Sequence, residues 1–184
     1  MTTHRLFVAI DLPNQAQAEL LALQTQLPGA RWVPAEQLHL TLRFLGDVED
    51  TVIPLLTAAL AGVQETPFDL SLHGVGHFPP RTHPKVLWTG VSPCEQLSSV
   101  QQQIESAVQS VGLPAEERPF SPHITLARLK ETPTAAVLDF EQRHHQFRYG
   151  PLAVTAFHLY ESTLTGKGAV HERRHSFPLE TPRD

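Results

Sequence analysis

Two segments of the sequence begin with a histidine that is followed by a threonine two positions later. They read "HLTLRFLG" at residues 39–46 and "HITLARLK" at residues 123–130. A single histidine on an exposed strand is more often a surface residue than a catalyst, but here the threonine and the next leucine recur with it. Because imidazole titrates near neutral pH, two facing histidines can supply one neutral base and one protonated acid. The repeat therefore predicts acid–base chemistry by His39 and His123.

Such a pair suits hydrolysis or transesterification at phosphorus. One imidazole would deprotonate the attacking oxygen while the other protonates the leaving oxygen on the opposite side. The hydroxyls of Thr41 and Thr125 would donate hydrogen bonds to non-bridging phosphate oxygens. The guanidinium of Arg128 would engage two oxygens of the same phosphate. This arrangement calls for no metal and no cofactor.

The first motif alternates like a half-buried strand. Because successive side chains of a strand point to opposite faces, regular alternation predicts a polar face that meets a cleft. This face comprises His39, Thr41 and Arg43. The apolar face, which would pack in the core, comprises Leu40, Leu42 and Phe44. Arg43 and Phe44 are also candidate substrate contacts because they follow the motif directly.

The same rule applied to the second motif places His123 and Thr125 on the cleft face. It puts Ala127, and not Arg128, beside them. We therefore expect Arg128 to reach the site from the end of the strand or through a β-bulge.

Periodicity and turn residues predict an alternation of strands and helices around the motifs. Further strands are expected at residues 5–12, 31–33, 68–78, 85–91 and 151–160, and helices at 14–27, 49–63, 95–111 and 134–146. The sequence "TGKG" at 165–168 predicts a hairpin turn into a last strand that ends in "FPL". Each half of the chain carries one motif, which suggests an internal duplication with two similar sheets.

Composition is typical of a globular protein, with 184 residues, 41% hydrophobic and 18% charged. The net charge of −5 argues against an extended grip on a nucleic-acid backbone, so a nucleic-acid ligand would be read at its terminal nucleotides and little beyond. Cys94 is the only cysteine, which excludes an internal disulfide. The N-terminus has no secretory signal pattern and no membrane span is evident, so a cytoplasmic location is expected. We expect a monomer without an obligate protein partner.

Paired His-x-Thr motifs in the two halves of a chain of this size resemble the 2H phosphoesterase superfamily. The segments "RLFVAIDLP", "RWVPAEQLHLTLRFLGDV", "RPFSPHITLARLK" and "FHLYESTLTGKGAVHE" are similar to the bacterial and archaeal RNA 2′,3′-cyclic phosphodiesterases of the LigT and ThpR type. The similarity extends over nearly the whole chain. A single HxTL motif is weak evidence for this family, whereas two such motifs in matching sequence contexts are strong evidence.

This resemblance implies an α+β, bilobal fold in which two antiparallel sheets line a central cleft, with helices packed outside. It implies opening of a 2′,3′-cyclic phosphate at an RNA end to leave a 2′-phosphate, and in some members reversible 2′-5′ RNA joining. His39 and His123 match the catalytic histidines, and Thr41 and Thr125 match the phosphate-binding hydroxyls. Arg128 matches a basic residue that contacts substrate.

Two assignments stay open within this resemblance. We assign His123 as the base and His39 as the acid, but the two motifs are symmetric in sequence, so the reverse assignment stays open. A base-stacking partner is expected for a nucleotide substrate. The candidates by proximity in sequence are Phe7, Phe44, Phe78 and Trp32, each of which could instead belong to the core.

Three other interpretations compete with this one. The sequence "HERRH" at 171–175 matches the HExxH pattern of zinc proteases, but it follows a turn near the chain end, where a strand is expected. In a strand the two histidines would lie too far apart for one zinc ion. The chain could also be a non-catalytic nucleotide-binding module. Within the superfamily, the substrate could be a 2′-5′ oligonucleotide or a cyclic sugar phosphate.

Overall fold

The computed structural model describes residues 1–81 and 83–181. The strands are β1 (Thr3–Asp11), β2 (Ala30–Trp32), β3 (His39–Glu49), β4 (Phe68–Phe78), β5 (Val86–Val91), β6 (His123–Leu129), β7 (Arg148–Val154), β8 (Ala156–Thr165) and β9 (Gly168–Pro178). The helices are α1 (Asn14–Leu21), α2 (Ile53–Leu60), α3 (Glu95–Ser110) and α4 (Thr134–His144), and a 3₁₀ turn covers Ala35–Gln37.

The strands form two sheets, one around each motif. The first sheet has the order β3-β1-β8-β9 and the second has the order β2-β6-β5-β4-β7. Every pairing in both sheets is antiparallel, which confirms the predicted α+β fold with two antiparallel sheets. The series β3-β1-β8-β9 corresponds strand by strand to β6-β5-β4-β7, in agreement with the suggested duplication. Among the described strands, the first sheet has none that corresponds to β2.

The two halves of the sequence do not correspond to the two sheets. β2 and β4 come from the first half but lie in the second sheet, whereas β8 and β9 come from the second half and lie in the first sheet. The strand predicted at 151–160 is therefore wrong: it is two strands, β7 and β8, which belong to different sheets and are separated at Thr155. Val154 and Phe157 are both buried, so the apolar pattern continues through the crossing without a break.

The helices shield the outer faces of the sheets. α3 buries Leu97, Val100, Ile104 and Val108, the apolar stripe that helical spacing predicts. α2 tolerates Pro54 because this residue lies in the first turn, where a backbone N–H has no partner within the helix. α1 ends at Leu21 and is shorter than the predicted helix at 14–27. Within the described residues, the helices are too short or too polar to span a bilayer.

The buried side chains form one large cluster and one small one. The large cluster fills the space between the sheets and the helices. The small cluster comprises Phe7, Ala9 and Tyr160, which lie on the opposite face of the first sheet. Because Leu6, Val8 and Ile10 alternate with Phe7 and Ala9 and belong to the large cluster, β1 is buried on both faces. The face with the small cluster is the one that carries the first motif.

Candidate active site

The two motif strands approach each other between the sheets. β3 is the edge strand of the first sheet, and it contacts β6 of the second. In both strands the histidine and the threonine are half-buried, while the residue that follows each of them is buried. The predicted alternation over His39–Leu42 and over His123–Leu126 is therefore confirmed.

Each motif strand contains a β-bulge directly after the threonine. In β3 the pairing with β1 skips Leu42, and in β6 the pairing with β5 skips Leu126. An extra unpaired residue reverses the alternation of the side chains that follow it. The two motifs therefore share their local backbone as well as their sequence.

The bulge in β3 corrects the predicted faces of Arg43 and Phe44. Arg43 is turned inwards, is 8% exposed, and donates from Nε to Oε2 of Glu105 at 2.6 Å. Its Nη2 donates to the backbone carbonyl of Pro114. The prediction that Arg43 lies on the cleft face with His39 is wrong, and its guanidinium is occupied by α3 and the loop after it. The prediction that Phe44 packs in the core with Leu40 is also wrong, because Phe44 is 64% exposed.

The bulge in β6 changes the face on which Arg128 lies. Ala127 is buried and Arg128 is exposed, so Arg128 lies on the same face as His123 and Thr125. Burial lowers the pKa of the His171 imidazole on β9, and the positive charge of Arg128 lowers it further. Since His171 belongs to the first sheet, the charge of Arg128 acts across the space between the two sheets.

His39 is surrounded by aromatic rings. The centroid of its imidazole lies 5.0 Å from Tyr160, 5.8 Å from Phe7 and 5.4 Å from His171. Burial lowers the pKa of His39 to about 4, and the neighbouring imidazole of His171 acts in the same direction. The carboxylate of Asp11 acts to raise it but is outweighed. In this state His39 is neutral at neutral pH.

His123 is held by a backbone partner. Its Nδ1 lies 2.7 Å from the carbonyl oxygen of Ser121. A carbonyl only accepts hydrogen bonds, so Nδ1 carries the proton, and in the neutral ring Nε2 is left as a free acceptor. The ring lies edge-on to Phe78 at 5.0 Å and 6.3 Å from Trp88, which pairs with Thr125 across the sheet.

Asp11 organises the floor beneath His39. It is opposite His39 in the pairing of β1 with β3, it accepts a hydrogen bond from the Tyr160 hydroxyl, and it pairs with Arg173. Burial and the carboxylate raise the pKa of Tyr160, so the phenol stays protonated. His158 also approaches Asp11, with Nε2 at 3.5 Å. This network fixes the ring of Tyr160 against His39.

His171 is the site residue that sequence reasoning missed. The expected strand at 171–175 is confirmed, because both histidines of "HERRH" lie in β9. His171 faces the first motif, whereas His175 packs against Phe177 at 4.6 Å. The "TGKG" turn could have predicted the position of His171. Once Thr165 pairs with Gly168 across the turn, the register of the hairpin pairs Ser162 with His171, and this pairing decides on which face of the sheet His171 lies.

The aromatic candidates fall into different environments. Trp32 lies 5.9 Å from Phe140 of α4, and so faces the helices and not the cleft. Phe7 is 5% exposed beneath His39. Phe44 and Phe78 stay candidates for base stacking, and Trp88, which the sequence did not suggest, joins them beside His123.

Comparisons with known proteins identify the family of this chain. Residues 12–165 match the family model of the 2′-5′ RNA ligase superfamily. An RNA 2′,3′-cyclic phosphodiesterase of Archaeoglobus fulgidus is 30% identical over 171 residues, covering 91% of this chain and 96% of the relative. Its counterpart in Thermotoga maritima is 31% identical over 176 residues, covering 91% of each chain.

Solved structures give the same result. The crystal structure of E. coli LigT complexed with 3′-AMP superimposes with a TM-score of 0.78 at 28% identity, covering 98% of this chain and 100% of that one. The paired motifs, the strand order and these relatives together show that the chain belongs to the 2′-5′ RNA ligase superfamily, one of the 2H phosphoesterases.

Proposed function

We propose that the protein is an RNA 2′,3′-cyclic phosphodiesterase that opens a terminal cyclic phosphate to a 2′-phosphate by two-histidine acid–base catalysis. The observation that carries this proposal is the matched pair of bulged His-x-Thr strands, which turns His39, Thr41, His123, Thr125 and Arg128 toward the space between the sheets. The names of the relatives support the substrate class.

The proposed reaction is a displacement at phosphorus. Nε2 of His123 accepts a proton from water, whose oxygen forms the new bond to phosphorus. The bond from phosphorus to O3′ breaks, and His39 gives O3′ a proton, so the phosphate stays on O2′. Thr41 and Thr125 donate to the non-bridging oxygens, and Arg128 offsets the negative charge that gathers on them. No step uses a metal ion.

His123 suits the role of base because the carbonyl of Ser121 fixes the tautomer with Nε2 free. His39 requires a further step, because a pKa of about 4 leaves it neutral in the free protein, whereas an acid must carry a proton. A phosphate anion about 4 Å away would favour the imidazolium by about 4 kcal/mol at an effective dielectric constant of about 20. That energy would raise the pKa of His39 by about three units, so the bound substrate itself would favour the protonated His39 that an acid requires.

The first experiment tests turnover. A short RNA that ends in a 2′,3′-cyclic phosphate is incubated in excess EDTA with the parent, His39→Ala and His123→Ala, and the position of the product phosphate is identified. We expect a 2′-phosphate from the parent and a loss of about 10² or more in rate for each variant. His145→Ala, which removes an exposed histidine after α4, is the matched control and should retain the parental rate. Binding without turnover would instead identify a nucleotide-binding module.

A second experiment assigns the acid and the base. A substrate with sulfur in place of O3′ has a leaving group that needs little protonation, because a thiolate is far more stable than an alkoxide. This substrate should restore activity to His39→Ala and leave His123→Ala impaired. The reverse pattern would exchange the two roles.

The superfamily to which the chain belongs also points to RNA joining. Attack on the cyclic phosphate by a 5′-hydroxyl of a second RNA, in place of water, would use the same two histidines and form a 2′-5′ linkage. Incubation of a cyclic-phosphate end with a 5′-hydroxyl RNA, followed by analysis of the linkage, tests this activity. If the parent protein turned over only 2′-5′ oligonucleotides or cyclic sugar phosphates, the proposed substrate would be wrong, but the two-histidine mechanism would still apply.

A further inference from the structure

The second sheet carries an arginine next to Arg128 that the catalytic scheme does not use. In the pairing of β2 with β6, Arg31 is directly opposite Arg128, so both side chains emerge from the same face of the sheet. Trp32, the next residue of β2, contacts Phe140 on the helix side, which independently places Arg31 on the cleft side. Arg31 is exposed.

The side chain of Arg31 reaches across to the first sheet. A methyl group added at Gly168, the first residue of β9, would lie 2.9 Å from Nη2 of Arg31. Nearby, Nε2 of Gln37 donates to the carbonyl of Ala169 at 2.6 Å. The start of β9 therefore lies beside Arg31, which with Arg128 forms the arginine pair.

Within the described part of the chain, neither arginine of this pair forms an ion pair with a carboxylate. Among residues 1–81 and 83–181, no carboxylate lies within 4.0 Å of either guanidinium, whereas Arg43, Arg143, Arg173 and Arg174 all have such partners. Like charges on directly opposed residues of a sheet are destabilising. Two unneutralised arginines side by side on a cleft, in a chain of net charge −5, favour an anionic ligand.

The charge of one cyclic phosphate does not neutralise the two positive charges of this arginine pair. The cyclic phosphate carries a single negative charge, and Arg128 is on the same strand as His123 and Thr125, whereas Arg31 is one strand further from them. An RNA end supplies a second negative charge at the phosphodiester on the 5′ side of its terminal nucleotide. Resting on the proposed function, we propose that Arg31 binds this upstream phosphodiester, so that the site selects RNA ends of at least two nucleotides over cyclic mononucleotides.

The test compares three substrates. They are adenosine 2′,3′-cyclic phosphate, the dinucleotide ApA ending in a 2′,3′-cyclic phosphate, and the same dinucleotide with an uncharged methylphosphonate in place of the internal phosphodiester. Each is assayed with the parent, Arg31→Ala, Arg31→Lys and Arg148→Ala. Arg148 is an exposed arginine on β7, the opposite edge of the same sheet, and provides a matched control.

We expect Arg31→Ala to lose about tenfold or more in kcat/KM on the charged dinucleotide, mainly through KM, and to stay within about twofold of the parent on the mononucleotide. The parent should lose as much when the methylphosphonate replaces the phosphodiester, whereas Arg31→Ala should be indifferent to that replacement. Arg31→Lys should recover part of the loss, and Arg148→Ala should match the parent.

Other results overturn the inference. An equal loss on the mononucleotide would place Arg31 on the reacting phosphate. No loss on the dinucleotide, or a methylphosphonate effect that persists in Arg31→Ala, would remove Arg31 from the substrate altogether. These outcomes require an active parent. A parent that opens none of the substrates contradicts the proposed function, and the inference is then rejected with it.

Discussion

The two motif strands have the same backbone plan but different chemistry after the bulge. In β3 the bulge turns Arg43 into the protein and Phe44 outwards, whereas in β6 it turns Ala127 inwards and Arg128 outwards. One strand therefore presents an aromatic ring and the other a cation, at corresponding positions. The two motif strands therefore differ in the two residues that follow each bulge.

The two histidines differ in the same sense. His39 lies among Phe7, Tyr160 and His171, where burial lowers its pKa to about 4. His123 instead donates to a backbone carbonyl, which fixes its tautomer. Motifs that look equivalent in sequence therefore have different surroundings, and most of the neighbouring residues come from strands distant in the chain.

The largest effect that tests this comparison concerns Arg43. Arg43→Ala leaves the carboxylate of Glu105 and the carbonyl of Pro114 without their guanidinium partner, and we expect the free energy of unfolding to fall by about 3 kcal/mol. Arg143→Ala removes an exposed ion pair with Asp139 and should cost less than about 0.5 kcal/mol. Denaturant unfolding of both variants measures the difference. A loss below about 1 kcal/mol for Arg43→Ala would mean that the inward arginine is not structural.

The next effect concerns the outward residues. Arg128→Ala removes the proposed charged contact to phosphate, and we expect a loss of about 2 kcal/mol, or about 30-fold, in kcat/KM on the dinucleotide ApA that ends in a 2′,3′-cyclic phosphate. Phe44→Ala should cost about 1 kcal/mol, or about fivefold, mainly in KM, because its ring could only stack on a base. Steady-state kinetics on both variants ranks the two positions. A larger loss for Phe44→Ala than for Arg128→Ala would mean that Phe44 contributes more to substrate binding than Arg128 does.

The smallest effect concerns His171. Its imidazole lowers the pKa of His39, so His171→Gln should raise that pKa above about 4 while burial keeps it below its ordinary value. His175→Gln alters the histidine of β9 that packs against Phe177 and should leave His39 unchanged. Titration of the His39 ring by NMR measures both variants. An unchanged or lower pKa in His171→Gln would remove His171 from the electrostatics of the site.

Sequence alone identified the paired motif residues of the candidate site and most helices and strands. His-x-Thr was recognisable because a histidine and a threonine on one face of a strand are spaced by two, and the repeat made chance improbable. β4, β5, α3 and the β8–β9 hairpin were found because their periodicity or turn residues are local properties. The need for a bulge at Arg128 was also readable, since its position conflicts with regular alternation.

Only the tertiary structure decided three features. They are the faces of the side chains that follow each bulge, the passage of the chain from the second sheet to the first at Thr155, and the neighbours of each histidine. A bulge is defined by which residue of a neighbouring strand stays unpaired, so the faces of Arg43 and Phe44 depend on β1 and not on β3 alone. The passage of the chain between the sheets is not visible in the hydrophobic pattern, because Val154 and Phe157 are both buried although they belong to different sheets. The low pKa of His39 arises from Phe7, Tyr160 and His171, which approach it through strand pairing, and such distant contacts are not encoded in any local window of sequence.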